Sequence, residues 1–123
     1  MPHLTVDYSA NVEDAVEGLC DVIRQAAIRT GVFPMPGIRV RAFRADQVSI
    51  ADGGDRHGYV DISIRLRAGR TDQQKELAAS AVFEAARVHL APAMATRSIA
   101  LSLELRDIDP DLSPKAGTIR DHL

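Results

Sequence analysis

A chain of 123 residues is long enough for one compact domain and hardly for two. Its apolar share of 46% supplies a core, and aromatics at only 4% make that core mainly aliphatic. With 15 Lys plus Arg against 17 Asp plus Glu, the formal charge of -2 gives no electrostatic footprint for nucleic acid.

The first predicted element is a strand over Pro2–Tyr8. Leu4, Val6 and Tyr8 alternate with His3, Thr5 and Asp7, which is period 2. No apolar leader segment precedes it, and no stretch is long enough to span a membrane. Asn11 can cap a helix, with Glu13 and Asp14 in its first turn. Val12, Ala15, Val16, Leu19, Val22, Ile23, Ala26 and Ala27 then recur at helical spacing, predicting one amphipathic helix of about five turns that ends before Gly31. Cys20 stands alone within it, so no disulfide framework exists; a buried thiol and a reducing, cytoplasmic setting are expected. After the VFPMPG linker, IRVRAF predicts a second strand. Ile38, Val40 and Ala42 lie on one face, and Arg39, Arg41 and Phe43 on the other.

An irregular stretch containing ADGGDRHG follows; it has turn chemistry but neither phosphate-loop signature. The pattern then repeats. Val60, Ile62, Ile64 and Leu66 alternate as a third strand. Thr71 and Gln74 have the spacing of a capping box. Leu77, Ala78, Ala81, Val82, Ala85 and Val88 line one face of a second helix, which Pro92 stops or kinks near its end. Ile99, Leu101, Leu103 and Leu105 give a fourth strand, and the tail from Asp107 reads as an arm or coil.

The chain is thus an α+β protein of two tandem βαβ units, pseudo-repeats over about 2–43 and 59–106 of a single domain spanning 1–123. Superposing them sets Leu4, Val6 and Tyr8 on Ile62, Ile64 and Leu66, and Arg39 on Arg97. The expected architecture is one four-stranded sheet with two helices on one face. Its other face, expected to be apolar, would be buried by self-association. A ferredoxin-like binding module has the same βαββαβ element order, and periodicity does not separate the two.

Proline after the initiator Met1, the arginine in GIRVR, and RAGRTDQQKE at 67–76 together resemble the tautomerase superfamily, whose members act through an N-terminal proline. Within it the likeness is greatest to the 5-carboxymethyl-2-hydroxymuconate isomerase family. It is carried by MPHLTVDYS, TGVFPMPGIRVR, ADGG…HGYV, AGRTDQQ and SIALSLELRDIDP, in order along nearly the whole chain. The resemblance implies that Pro2, freed by removal of Met1, is the catalytic base. It implies that Arg39 and Arg70 bind substrate carboxylates and that Phe33 lines the pocket. It also implies isomerisation of a di- or tricarboxylate dienol to its 2-oxo-3-ene isomer in homoprotocatechuate breakdown, a homotrimer, and no metal or organic cofactor. A tautomerase of another 2-hydroxydienoate or enol acid is the nearest alternative. Arg65 and Arg67 read as surface residues, and His3 as pointing away from Pro2. His3, His57, His89 and His122 lack metal-ligand spacing.

Overall fold

The computed structural model describes all residues, 1–123. Its elements are β1 (His3–Ser9), α1 (Glu13–Val16), α2 (Leu19–Thr30), β2 (Arg39–Ala45), β3 (His57–Arg67), α3 (Asp72–Met94) and β4 (Ser98–Ile108). The strands form one sheet in the order β2-β1-β3-β4. β1 and β2 are parallel, β3 and β4 are parallel, and the two units meet through antiparallel β1 and β3. Each βαβ unit therefore has its two parallel strands directly hydrogen-bonded. A ferredoxin-like split βαβ would place another strand between them, so that alternative is excluded.

The alternation read from the sequence fixes which side chains meet the helices. Leu4 and Val6 of β1 and Val60, Ile62, Ile64 and Leu66 of β3 are essentially inaccessible, beneath Leu19 and Ile23 of α2 and Val82 and Leu90 of α3. Burying each such side chain contributes about 1.5–3 kcal/mol. α3 starts as its spacing predicts: Thr71 Oγ1 accepts from the Gln74 N–H at 3.1 Å, and Gln74 Oε1 accepts from the Thr71 N–H at 3.0 Å. Pro92 lies inside α3, which ends two residues later at Met94.

Two expectations are corrected. The first helix is not continuous from Asn11. A 3-10 turn over Ala10–Val12 leads into the one-turn α1, and the chain breaks at Gly18 (φ 79) before α2 begins. Left-handed backbone suits glycine and cannot continue a helix. Asn11 is occupied elsewhere: its Nδ2 donates to the His57 carbonyl at 2.9 Å, and its Oδ1 accepts from Ser9 Oγ at 2.7 Å.

The helix-free sheet face is polar, not apolar. The register aligns Thr5 with Arg41 and Ser63, and Asp7 with Asp61, which in turn faces Ser102. Ser102 Oγ donates to Asp61 at 2.7 Å and Tyr59 OH donates to Asp7 at 2.8 Å. Burial and its acidic neighbours push the Tyr59 phenol up to about 12. Ile99, Leu101, Leu103 and Leu105 lie on the helix side instead. They are only half-buried because β4 is an edge strand.

Gly58 joins the two units at the end of the sheet away from Pro2. A Cβ there would sit 2.5 Å from Val12 Cγ1, 2.9 Å from Asn11 Oδ1 and 3.0 Å from Ser9 Oγ. Gly58→Ala should cost about 1–3 kcal/mol through this overpacking, read as a lower urea midpoint. An unchanged midpoint would show that the contact relaxes freely.

Candidate active site

Pro2 immediately precedes β1, where a missing N–H costs no ladder bond. Its ring is fully buried, and its carbonyl accepts from the Arg39 N–H at 3.3 Å, which starts the parallel pairing of β1 with β2. The ring packs against the 3-10 turn Met35–Gly37. A Cβ on Gly37 would lie 3.0 Å from Pro2 Cδ, so the glycine allows the turn to approach the proline closely. The sequence reading did not select Gly37, although its place directly before IRVR is a signal of such an approach.

Two cavities flank this point. One, of about 270 Å³, is lined by Met1, Pro34, Pro36, Gly37 and Arg39 on one side and by the C-terminal tail on the other. The second, of about 320 Å³, is lined by Met1, His3, Arg65, Arg67 and Ile108, again with the tail. No carboxylate lines either one. Met1, Lys115 and Ala116 border both cavities and so form the divide between them.

The charge around this divide is one-sided. Arg39, Arg65, Arg67, Arg70, Lys115 and Arg120 make no salt bridge, as is also true of Arg29, Arg41 and Arg56, whereas Arg24, Arg44, Arg87, Arg97 and Arg106 each pair with an acid. The contrast between Arg39 and Arg97 is instructive, since both stand where the second strand of their unit begins. Arg97 is tied to Asp14 at 2.8 Å. The Arg39 guanidinium donates only to the Gly37 carbonyl, at 2.6 Å. Arg70 donates to the carbonyls of Arg67 at 3.3 Å and Val32 at 3.4 Å. These neutral partners hold the guanidinium groups in place without neutralising them.

The N-terminal amine feels this field. That amine is Met1's in this structure: burial first, then Lys115, Arg39, Arg70 and Arg67, hold its pKa below the ordinary value of 8.0. Both effects act by disfavouring the ammonium form. His3 is lowered for the same reasons, burial first and then Arg65 and Arg41. Lowering an amine's pKa favours the form that can accept a proton, and the free cations around it can hold an anionic partner.

The structure therefore brings Pro2, Arg39 and Arg70 to one end of the sheet. Phe33 does not join them: it is 4% exposed, belongs to the hydrophobic core, and leaves the cavity wall to its neighbours Pro34 and Pro36. Arg65 and Arg67, read from the sequence as ordinary surface residues, border a cavity with His3. Antiparallel pairing sets His3 directly against Arg65, a register that no periodicity reveals. No group of His, Cys, Asp and Glu that could hold a metal ion occurs in the chain. The half-buried Cys20 lies in α2, and burial pushes its thiol up, the reverse of an activated nucleophile.

Comparison with known proteins gives a consistent set. The sequence family described as 5-carboxymethyl-2-hydroxymuconate isomerase matches residues 2–123. The 5-carboxymethyl-2-hydroxymuconate Delta-isomerase of Escherichia coli is 31% identical over 97% of this chain and 96% of its own. A crystal structure of a 5-carboxymethyl-2-hydroxymuconate delta-isomerase superposes with a TM-score of 0.92 at 27% identity, covering 99% of this chain and 92% of the other. That of a 5-carboxymethyl-2-hydroxymuconate isomerase from Deinococcus radiodurans R1 gives 0.90 at 27% identity, over 98% and 92%.

Proposed function

The chain belongs to the 5-carboxymethyl-2-hydroxymuconate isomerase family, and from that premise we propose that it isomerises this dienol to the 2-oxo-3-ene acid through the Pro2 amine. The observation that carries the role of Pro2 is its setting: a buried ring held at the start of β1, next to a Met1 amine whose charged neighbours Lys115, Arg39, Arg70 and Arg67 are all unpaired cations. Removal of Met1 turns the Pro2 nitrogen from an amide into a secondary amine. Met1 borders both cavities, so its loss also removes a wall residue from each.

The reaction then needs one base. The Pro2 nitrogen takes the proton of the 2-hydroxyl group as the C2–O bond becomes a carbonyl. The C2=C3 and C4=C5 double bonds are replaced by C3=C4, and the same nitrogen delivers the proton to C5. Substrate carboxylates pair with Arg39 and Arg70, which fixes the diene across the amine. Charge building on the C2 oxygen is stabilised by the same cationic field. The rigid proline ring adds little motion for the base to lose. A place in homoprotocatechuate breakdown is part of this proposal. The test is spectrophotometric: purified protein whose mass shows Met1 removed should discharge the dienol absorbance of 5-carboxymethyl-2-hydroxymuconate. Mature protein that leaves it unchanged above the solvent rate would sink the proposal.

We also propose the homotrimer that the resemblance implies, on a revised physical basis. The motive is not an apolar open face but two unprotected edges. β2 and the 11-residue β4 both end the sheet, and the apolar side chains of β4 are only half-covered. Pairing of such edges removes a liability that monomers otherwise mask. Light scattering should give three times the chain mass at assay concentration; a monomer that persists on concentration would contradict this.

A further inference from the structure

The C-terminal tail, unassigned in the reaction above, is built against the site. Ala68 N–H donates to the Ile108 carbonyl at 3.1 Å, which fastens the end of β4 to the loop that carries Arg70. Asp109 then caps a turn over Pro110–Leu112, its side chain accepting from the Asp111 N–H at 2.9 Å. Ser113 Oγ donates back to the Asp109 carbonyl at 2.6 Å. These bonds turn the chain across the N-terminus, so that Lys115 borders both cavities, with Arg39 in one wall and Arg67 in the other. Lys115 has no acidic partner, while Lys75, the other lysine, reaches Asp72 and Asp107.

We propose that Lys115 is a substrate-binding residue that takes one carboxylate of a tricarboxylate ligand, so that the tail sets a preference for three anionic groups over two. The inference rests on the isomerase reading for its substrate. That substrate carries three carboxylates, and Arg39 and Arg70 account for two. The Lys115 ammonium is a third cation, carried on a different part of the chain and placed where the two cavities meet. It is also the largest charge effect on the Met1 amine, the residue next to Pro2.

The experiment compares mature wild type, Lys115→Met and Lys115→Arg on 5-carboxymethyl-2-hydroxymuconate and on 2-hydroxymuconate, which lacks the carboxymethyl arm. Lys115→Met should lose about tenfold in kcat/KM on the tricarboxylate, mainly through KM, and less than about twofold on the dicarboxylate. Lys115→Arg should keep most of the difference. The acidic limb of kcat/KM should also move to higher pH in Lys115→Met, because a cation facing the amine is gone. Calorimetry with tricarballylate and glutarate, unreactive acids with three and two carboxylates, reads the same preference without turnover. A tricarballylate preference that vanishes in Lys115→Met supports the anion site even if the wild type fails to isomerise the dienol, in which case only the isomerase reading falls. Equal losses on both substrates, or no change in tricarballylate binding, would overturn the role of Lys115.

Discussion

A chain that keeps one residue ahead of Pro2 is expected to isomerise the dienol about 10²–10⁴-fold more slowly than the chain that begins at Pro2, the range a positioned general base supplies. The reason is electronic. An amide nitrogen has no basic lone pair, so neither the hydroxyl proton nor its return to carbon can pass through it. The loss should occur without unfolding: the structure with Met1 attached has a complete sheet, whose β1 pairing begins at His3. Circular dichroism and light scattering should thus be the same for blocked and free chains. Pro2→Ala keeps an amine, now primary and less constrained, and should retain part of the activity. The free enzyme should gain kcat/KM as pH rises through the amine pKa, because only the unprotonated form accepts a proton. Burial and nearby cations lower the Met1 amine; the Pro2 amine one residue further in should meet the same field, so the rise should come at lower pH than for an exposed terminus. High salt should weaken the charge contribution and shift the rise back upward.

Arg39→Ala and Arg70→Ala are each expected to lose about 2–5 kcal/mol of transition-state stabilisation on the tricarboxylate, the cost of truncating one partner of a desolvated charge pair. The loss should be much smaller on a monocarboxylic enol, which engages one arginine at most. That contrast separates binding from scaffolding. Arg70 also donates to the Val32 and Arg67 carbonyls, and Arg39 to Gly37, so removing either could loosen the turn behind Pro2. Loosening would reduce both substrate classes alike; loss of a carboxylate partner would not. Steady-state kinetics on both substrates, with the urea midpoint of each variant, resolves the two.

The strands were legible because β1, β3 and β4 keep strict alternation, and the side chains that alternate inward are those that meet the helices. The α3 cap was legible for a local reason: Thr71 and Gln74 satisfy each other within one turn. What needed the tertiary structure was anything set by pairing. Nothing in the local pattern says that β1 lies antiparallel to β3, yet that pairing brings Arg65 and Arg67 to the start of β1. Alternation alone does not say which sheet face takes Leu101 and Leu103; their side follows from the parallel register that sets them beside Val60 and Ile62. The break at Gly18 was hidden because apolar spacing runs straight through it. Phe33 lies in the core while its neighbours Pro34 and Pro36 line a cavity, a division that the GVFP motif does not reveal. The tail was the largest omission: a segment without periodicity gives no signal of where it packs, and Lys115 had no motif around it.

The most direct measurement is a ¹⁵N NMR titration of the Pro2 nitrogen in the mature protein, set beside the pH dependence of kcat/KM. The predicted result is one pKa shared by the two curves, lower than that of the same proline at the start of a short unstructured peptide and raised in Arg39→Ala. A Pro2 nitrogen that titrates as it does in the free peptide, or apart from the kinetic curve, would contradict the assignment of Pro2 as the base.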